Sequence, residues 1–160
     1  MKILVVGDSC KDIFVYCSID RICPEAPVPV LNPIYENEND GMAKNVVENL
    51  KALGVDTIHI ETNSNTIKKI RYVDERSNQM ILRVDEHDYC DRIDQNELTS
   101  FDGYDAIIIS DYCKGFLLEE DIQYICESCV NVFIDTKKPD LKRFENCIIR
   151  GDVALAKIPM

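Results

Sequence analysis

Apolar residues recur along this chain with two alternating spacings, and the alternation predicts an α/β fold. Residues 3–6 form an unbroken run of Ile, Leu and Val, as in a strand covered on both faces. Residues 57–60, 106–109 and 130–134 resemble it, which predicts a set of central parallel strands. Between these runs Ala43, Val46, Val47, Leu50 and Leu53 fall at helical spacing, and Gly54 follows as a C-terminal cap. Ile122, Ile125, Cys126 and Cys129 predict a second helix whose first turn carries Glu119, Glu120 and Asp121, where negative charge complements free N–H groups.

Two regions break this rhythm and predict a separate small sheet. Residues 13–19 and 28–35 flank a proline-rich turn between Pro24 and Pro29. Residues 66–73 and 79–85 are joined by a short polar loop, the signature of a hairpin. Met80, Leu82 and Val84 alternate with Ile81, Arg83 and Asp85, which predicts one drier and one wetter face, as in a lid over a polar pocket. Residues 85–94 are acidic and read as a solvated connection.

The length of 160 residues suits one domain with one core, here 1–160 with lid strands from about 13–36 and 66–86. A formal net charge of −11 argues against nucleic acid or an anionic membrane surface as a partner. No apolar run approaches the ~20 residues of a membrane span, and the N-terminus lacks a secretory signal, so a cytoplasmic protein is expected. In that setting the eight cysteines read as reduced thiols, and Cys126-Glu127-Ser128-Cys129 lacks the further ligands that a zinc site needs. No metal site is expected.

Chemistry concentrates where strands end. Carboxylates and amides at the C-terminal edge of a parallel sheet can hold paired hydrogen bonds to a polar ligand. Asp8 and Asp12 follow the first strand, and Asp111 ends a later one. Lys69, Arg71, Arg83 and Lys114 are cations suited to a phosphate group. A dinucleotide-binding reading also begins with a strand, a glycine and an acidic residue, but the chain has no GxGxxG and no GxxxxGK[ST].

The motifs Val5-Val6-Gly7-Asp8 with Asp12, the run 21–30, Gly41 with Asn45, and 66–71 appear in this order. Gln79 through Arg83 to Asp85, the run 110–115, and Asp135-Thr136-Lys137 follow. On these the chain resembles the N-terminal part of the PfkB-type, ribokinase-like carbohydrate kinases, within them the kinases of heptose 7-phosphate. The resemblance implies a partial ribokinase-like parallel-sheet α/β domain with a small β-sheet lid. It implies a sugar or sugar-phosphate ligand held by Asp8, Asp12, Gly41, Asn45, Lys69, Arg71, Asp111 and Lys114. Where the family has a second glycine after Gly41, this sequence has Met42, which is expected to narrow the pocket and restrict the lid.

The family's Gly-Ala-Gly-Asp motif, which carries its catalytic base and anion hole, does not occur in these residues, and Gly151-Asp152 echoes it only superficially. The resemblance therefore implies no catalytic residue and no cofactor in the isolated chain, with ATP and Mg expected only when a missing half is supplied. Three roles stay open. They are one half of a split sugar kinase, a sugar-phosphate-binding module, and an interaction protein that forms a homodimer through lid strands or joins a complementary C-terminal half.

Overall fold

The structure, a computed structural model, describes residues 1–61, 67–138, 144 and 147–150. Thr66 and Gly151-Asp152, named above, lie outside them.

Two sheets are present. The first is five-stranded and wholly parallel, in the order β4-β1-β7-β8-β9, built from Lys2–Gly7 (β1), Asp56–Ile60 (β4), Ala106–Asp111 (β7), Val132–Thr136 (β8) and Cys147–Arg150 (β9). The second is four-stranded and mixed, in the order β3-β2-β5-β6, built from Ser9–Ser18 (β2), Asn32–Met42 (β3), Ile67–Asp74 (β5) and Met80–Glu86 (β6). The α/β core with a second sheet is the architecture that the apolar spacing predicts.

Helix α1, Ala43–Ala52, covers one face of the parallel sheet, where Ala43 and Val47 pack on Ile3 and Val5. Helix α2, Glu119–Ser128, covers the other, where Ile122, Ile125 and Cys126 join Leu4, Val6, Ile107, Ile109 and Ile134 in the larger core cluster. Strand β1 is thus buried on both sides, as its unbroken apolar run requires. Asp121 anchors the start of α2: it accepts from the Leu118 amide at 2.8 Å and takes a two-pronged ion pair from Arg92 at 3.0 and 2.7 Å. Among the described residues no helix is long and apolar enough to cross a membrane.

Several predicted boundaries are corrected. Strand β2 starts at Ser9, with a single residue, Asp8, between it and β1. Strand β3 runs on through the polar stretch Glu36–Gly41 straight into α1, far beyond the expected end near Tyr35. It persists because every residue from Ser9 to Val15 pairs with it in antiparallel register, so main-chain hydrogen bonds stand in for apolar burial. Leu53 caps α1 and is 79% exposed instead of facing the core. On β6 both alternating sets are open to solvent: Met80, Leu82 and Val84 on one side and Ile81 on the other, so the strand has no dry face.

Candidate functional site

Register places the candidate residues of the second sheet in rows across one face. Asp12 stands beside Lys69, and Lys69 beside Asp85, while two residues further along Phe14, Arg71 and Arg83 form the next row. Gly41 and Cys10 make the row on the other side. Because side chains on a strand alternate, residues two apart share a face, and Gly41, Asp12, Lys69 and Arg71 meet on one surface.

The charges on this surface are unevenly paired. Asp12 Oδ1 accepts from Arg71 Nη1 at 2.6 Å, and Arg83 grips Asp85 with two bonds of 2.6 Å. Lys114 donates to Asp88 at 2.5 Å. Lys69 differs from these three cations: it is 9% exposed, has no ion pair within the described residues, and its ammonium instead lies 5.4 Å from the centre of the Tyr112 ring. Lys137 Nζ lies 4.9 Å from the same ring. Asp85, held low chiefly by Arg83, also feels the Lys69 charge, but with no carboxylate at ion-pair distance among the described residues the Lys69 ammonium keeps its donors for an incoming anion.

Asp8 and Asp111 sit deeper. Asp8 is fully buried between the two sheets, where Oδ2 accepts from the Tyr112 amide at 2.6 Å and Oδ1 faces the Cys90 thiol at 3.5 Å. Burial pushes the Asp8 carboxyl above its ordinary range, the Tyr112 amide opposes that shift, and the neighbouring Asp111 adds to it. Asp111 is 1% exposed and occupied by its own chain: Oδ1 accepts from the Cys113 amide at 2.9 Å, and Oδ2 from Thr136 Oγ1 at 2.6 Å and Lys138 Nζ at 2.7 Å. Both carboxylates fix the loop after β7 that carries Tyr112 and Lys114. Asp12, by contrast, is only partly buried and lies on the open row.

Gly41 needs its lack of a side chain for space. A Cβ there would stand 2.5 Å from Asp12 Oδ2 and 2.6 Å from Cys10 Sγ. Met42 has φ 58° and ψ −132°, a conformation that favours glycine, yet its side chain is 6% exposed within the larger core cluster with Leu4, Cys10 and Ile67. Its side chain points into the core, so it fills space under the sheet junction. Asn45 is on a different element, exposed in the first turn of α1.

Sequence reasoning missed Tyr112, Lys137 and Lys138 as parts of this surface. The run 110–115 and the Asp135-Thr136-Lys137 stretch mark the right loops, but which side chain meets which depends on the parallel pairing of Asp111 with Thr136 across β7 and β8. The eight cysteines are all free thiols. Burial raises Cys10 to about 11 and Cys126 to about 12, which suits packing and not nucleophilic chemistry. Among the described residues no group of three or more His, Cys, Asp or Glu is arranged to hold a metal ion. A cavity of about 380 Å³ lies at the opposite end of β7, beside Phe101, Tyr104 and Tyr124, away from the charged rows.

No family model matches the chain. Among curated proteins it is 30% identical to the bifunctional protein HldE of Campylobacter jejuni, over 92% of this chain and 38% of that protein. It is 33% identical to HldE of a Nitratiruptor species, over 92% of this chain and 39% of the relative, and 34% identical to HldE of Aliarcobacter butzleri, over 90% and 38%. The chain thus spans less than two fifths of the length of these relatives. Among solved structures it superposes on phosphofructokinase-2 of Escherichia coli in complex with fructose-6-phosphate, with a TM-score of 0.55, 13% identity, and coverage of 88% of this chain and 56% of that one. A possible 1-phosphofructokinase of Thermotoga maritima gives a TM-score of 0.51, 15% identity, and coverage of 95% and 60%.

Proposed function

We propose, for a chain that is a sequence relative of the HldE proteins and has the fold of the ribokinase-like carbohydrate kinases, that it is the sugar-side portion of such a kinase and binds a sugar phosphate. Heptose 7-phosphate is the first ligand to test. The observation that carries this reading is Lys69, a buried ammonium with no ion pair among the described residues, directly beside Asp12 in the same row of the same sheet face. An anionic phosphate satisfies the first, and sugar hydroxyls satisfy the second, whose Oδ2 lies over Gly41. The phosphofructokinase-2 structure that shares this fold holds a sugar phosphate, which agrees with that ligand class.

Phosphoryl transfer belongs to this chain only together with polypeptide that supplies a nucleotide site and a base, with ATP and Mg as the partners of that assembly. Calorimetry with heptose 7-phosphate, fructose 6-phosphate and the corresponding free sugars tests the reading. Binding of the phosphates but not the free sugars is expected, and equal heats from both, or none from either, would overturn it.

A further inference from the structure

The cleft of about 380 Å³ at the start of β7 has a chemistry unlike that of the charged rows. Ile107, 2% exposed, is its floor. One wall is the loop before β7, which turns at Gly103, φ 84°, so that Phe101 and Tyr104 on either side of the turn both reach the cleft. The other wall is α2, where Tyr124 and Ser128 stand four residues apart and hence on one helix face. The volume falls at the low end of the roughly 300–1,000 Å³ of small-molecule sites.

The lining is aromatic and, among the described residues, its one charge is negative. The Phe101 and Tyr124 rings lie 6.1 Å apart, tilted by 52°. At that spacing they contact each other and admit no third ring between them, so they act as a single wall with a negative π surface. Asp102 stands beside them, exposed, and accepts from Ser100 Oγ at 3.4 Å. No Lys, Arg or His of the described residues lines the cleft, so a phosphate finds no cation here. Tyr104 already holds an ammonium, since Lys2 Nζ lies 5.0 Å from its ring centre. Among the described residues no cation lies over Phe101 or Tyr124. The free π surface and the carboxylate attract the same kind of ligand, and the net charge of −11 adds to the attraction.

We propose that this cleft binds a small organic cation with an apolar body, of the arylalkyl-ammonium class, its ammonium beside Asp102 and its apolar part against Phe101, Tyr124 and Ile107. The site lies at the other end of β7 from the charged rows, and the inference does not depend on the sugar-phosphate reading.

An acidic protein attracts cations over much of its surface, so location is read together with binding. Benzyltrimethylammonium is titrated into the full chain, with phenylacetate and benzyl alcohol as the anionic and neutral probes, and assigned amide resonances are followed. Saturable shifts confined to residues 99–107 and 124–130 are expected, with a Kd on the order of 1 mM for the cation, weaker binding of the alcohol and none of phenylacetate. Tyr124→Leu, which keeps an apolar side chain and removes the π surface, is expected to weaken binding of the cation about threefold, and Asp102→Asn by about the same factor. Tyr35→Leu, at an exposed tyrosine of the second sheet, is expected to change nothing. The absence of a saturable shift, shifts scattered over the acidic surface, an equal response to phenylacetate, or an affinity that survives both cleft substitutions would overturn the proposal. Tyr124 and Asp102 are exposed, so both variants are expected to fold, which circular dichroism checks; should one fail, the other carries the decision.

Discussion

Gly41 lies so close above Asp12 that any side chain on it would collide with the carboxylate, 2.5 Å from Oδ2. The glycine therefore sets the position of an acid two strand positions and one neighbouring strand away. Gly41→Ala is expected to push Asp12 or Cys10 aside, with a stability loss of about 1–3 kcal/mol from overpacking. Sugar-phosphate affinity should fall with it. Urea unfolding and calorimetry on the same preparation check both; unchanged values for each would remove Gly41 from the site.

Lys69 is expected to weaken stability while serving the ligand. Lys69→Met keeps the length of the side chain and removes a buried charge that has no ion pair among the described residues. Unfolding free energy is expected to hold or rise. Affinity for a sugar phosphate should drop by about 1.5–3 kcal/mol, the worth of a hydrogen bond to a charged group. A variant that loses stability and keeps its affinity contradicts this division of labour.

Met42 should reverse the ordinary ranking of alanine over glycine. Met42→Ala removes buried side chain and leaves the backbone at φ 58°, ψ −132°, so a loss of about 2–5 kcal/mol is expected. Met42→Gly loses the same packing but relieves backbone strain of about 1–3 kcal/mol. Glycine is therefore expected to be the more stable of the two, measured by chemical denaturation of both variants in one buffer.

The pH dependence carries two opposite signs. Asp8 has its folded pKa raised above 3.8 by burial, so its contribution is fully present below 3.8 and is lost as pH rises from there through the folded value. Asp74, Asp85 and Asp121 are held below 3.8, Asp74 chiefly by Ser77, Asp85 by Arg83, and Asp121 by Arg92 against its own burial. Their contribution is present above 3.8 and is lost as pH falls through their folded values. Asp8→Asn keeps an acceptor for the Tyr112 amide and removes the rising-pH loss. The expected result is a stability profile that falls less between pH 4 and neutrality, roughly one pH unit at a time by thermal melting; an unaltered profile would mean that Asp8 is ionised in the fold without cost.

The parallel core was legible because its strands carry unbroken apolar runs. Residues 3–6 and 106–109 need cover on both faces, and the helices around Val47 and Ile122 supply it by periodicity alone. The second sheet was legible as a hairpin but not in extent. The Glu36–Gly41 part of β3 is held by its pairing with β2, and a strand stabilised mainly by a neighbour leaves little apolar signal of its own. Among the candidate residues, Asp12, Lys69, Arg71 and Gly41 could be named from the sequence, and their shared face follows from strand alternation. That Arg71, Arg83 and Lys114 each hold a carboxylate while Lys69 has no ion pair among the described residues depends on side-chain pairing across four segments. No local pattern encodes that difference.

The chain passes from one sheet to the other twice within a very small space. Asp8 alone separates β1 from β2, and Met42 leads into Ala43 with no intervening residue. The two crossings are tied by a hydrogen bond from the Ala43 amide to the Asp8 carbonyl at 2.9 Å. They therefore behave mechanically as one joint. A displacement of the second sheet at that knot is delivered straight to β1, the most buried strand of the core.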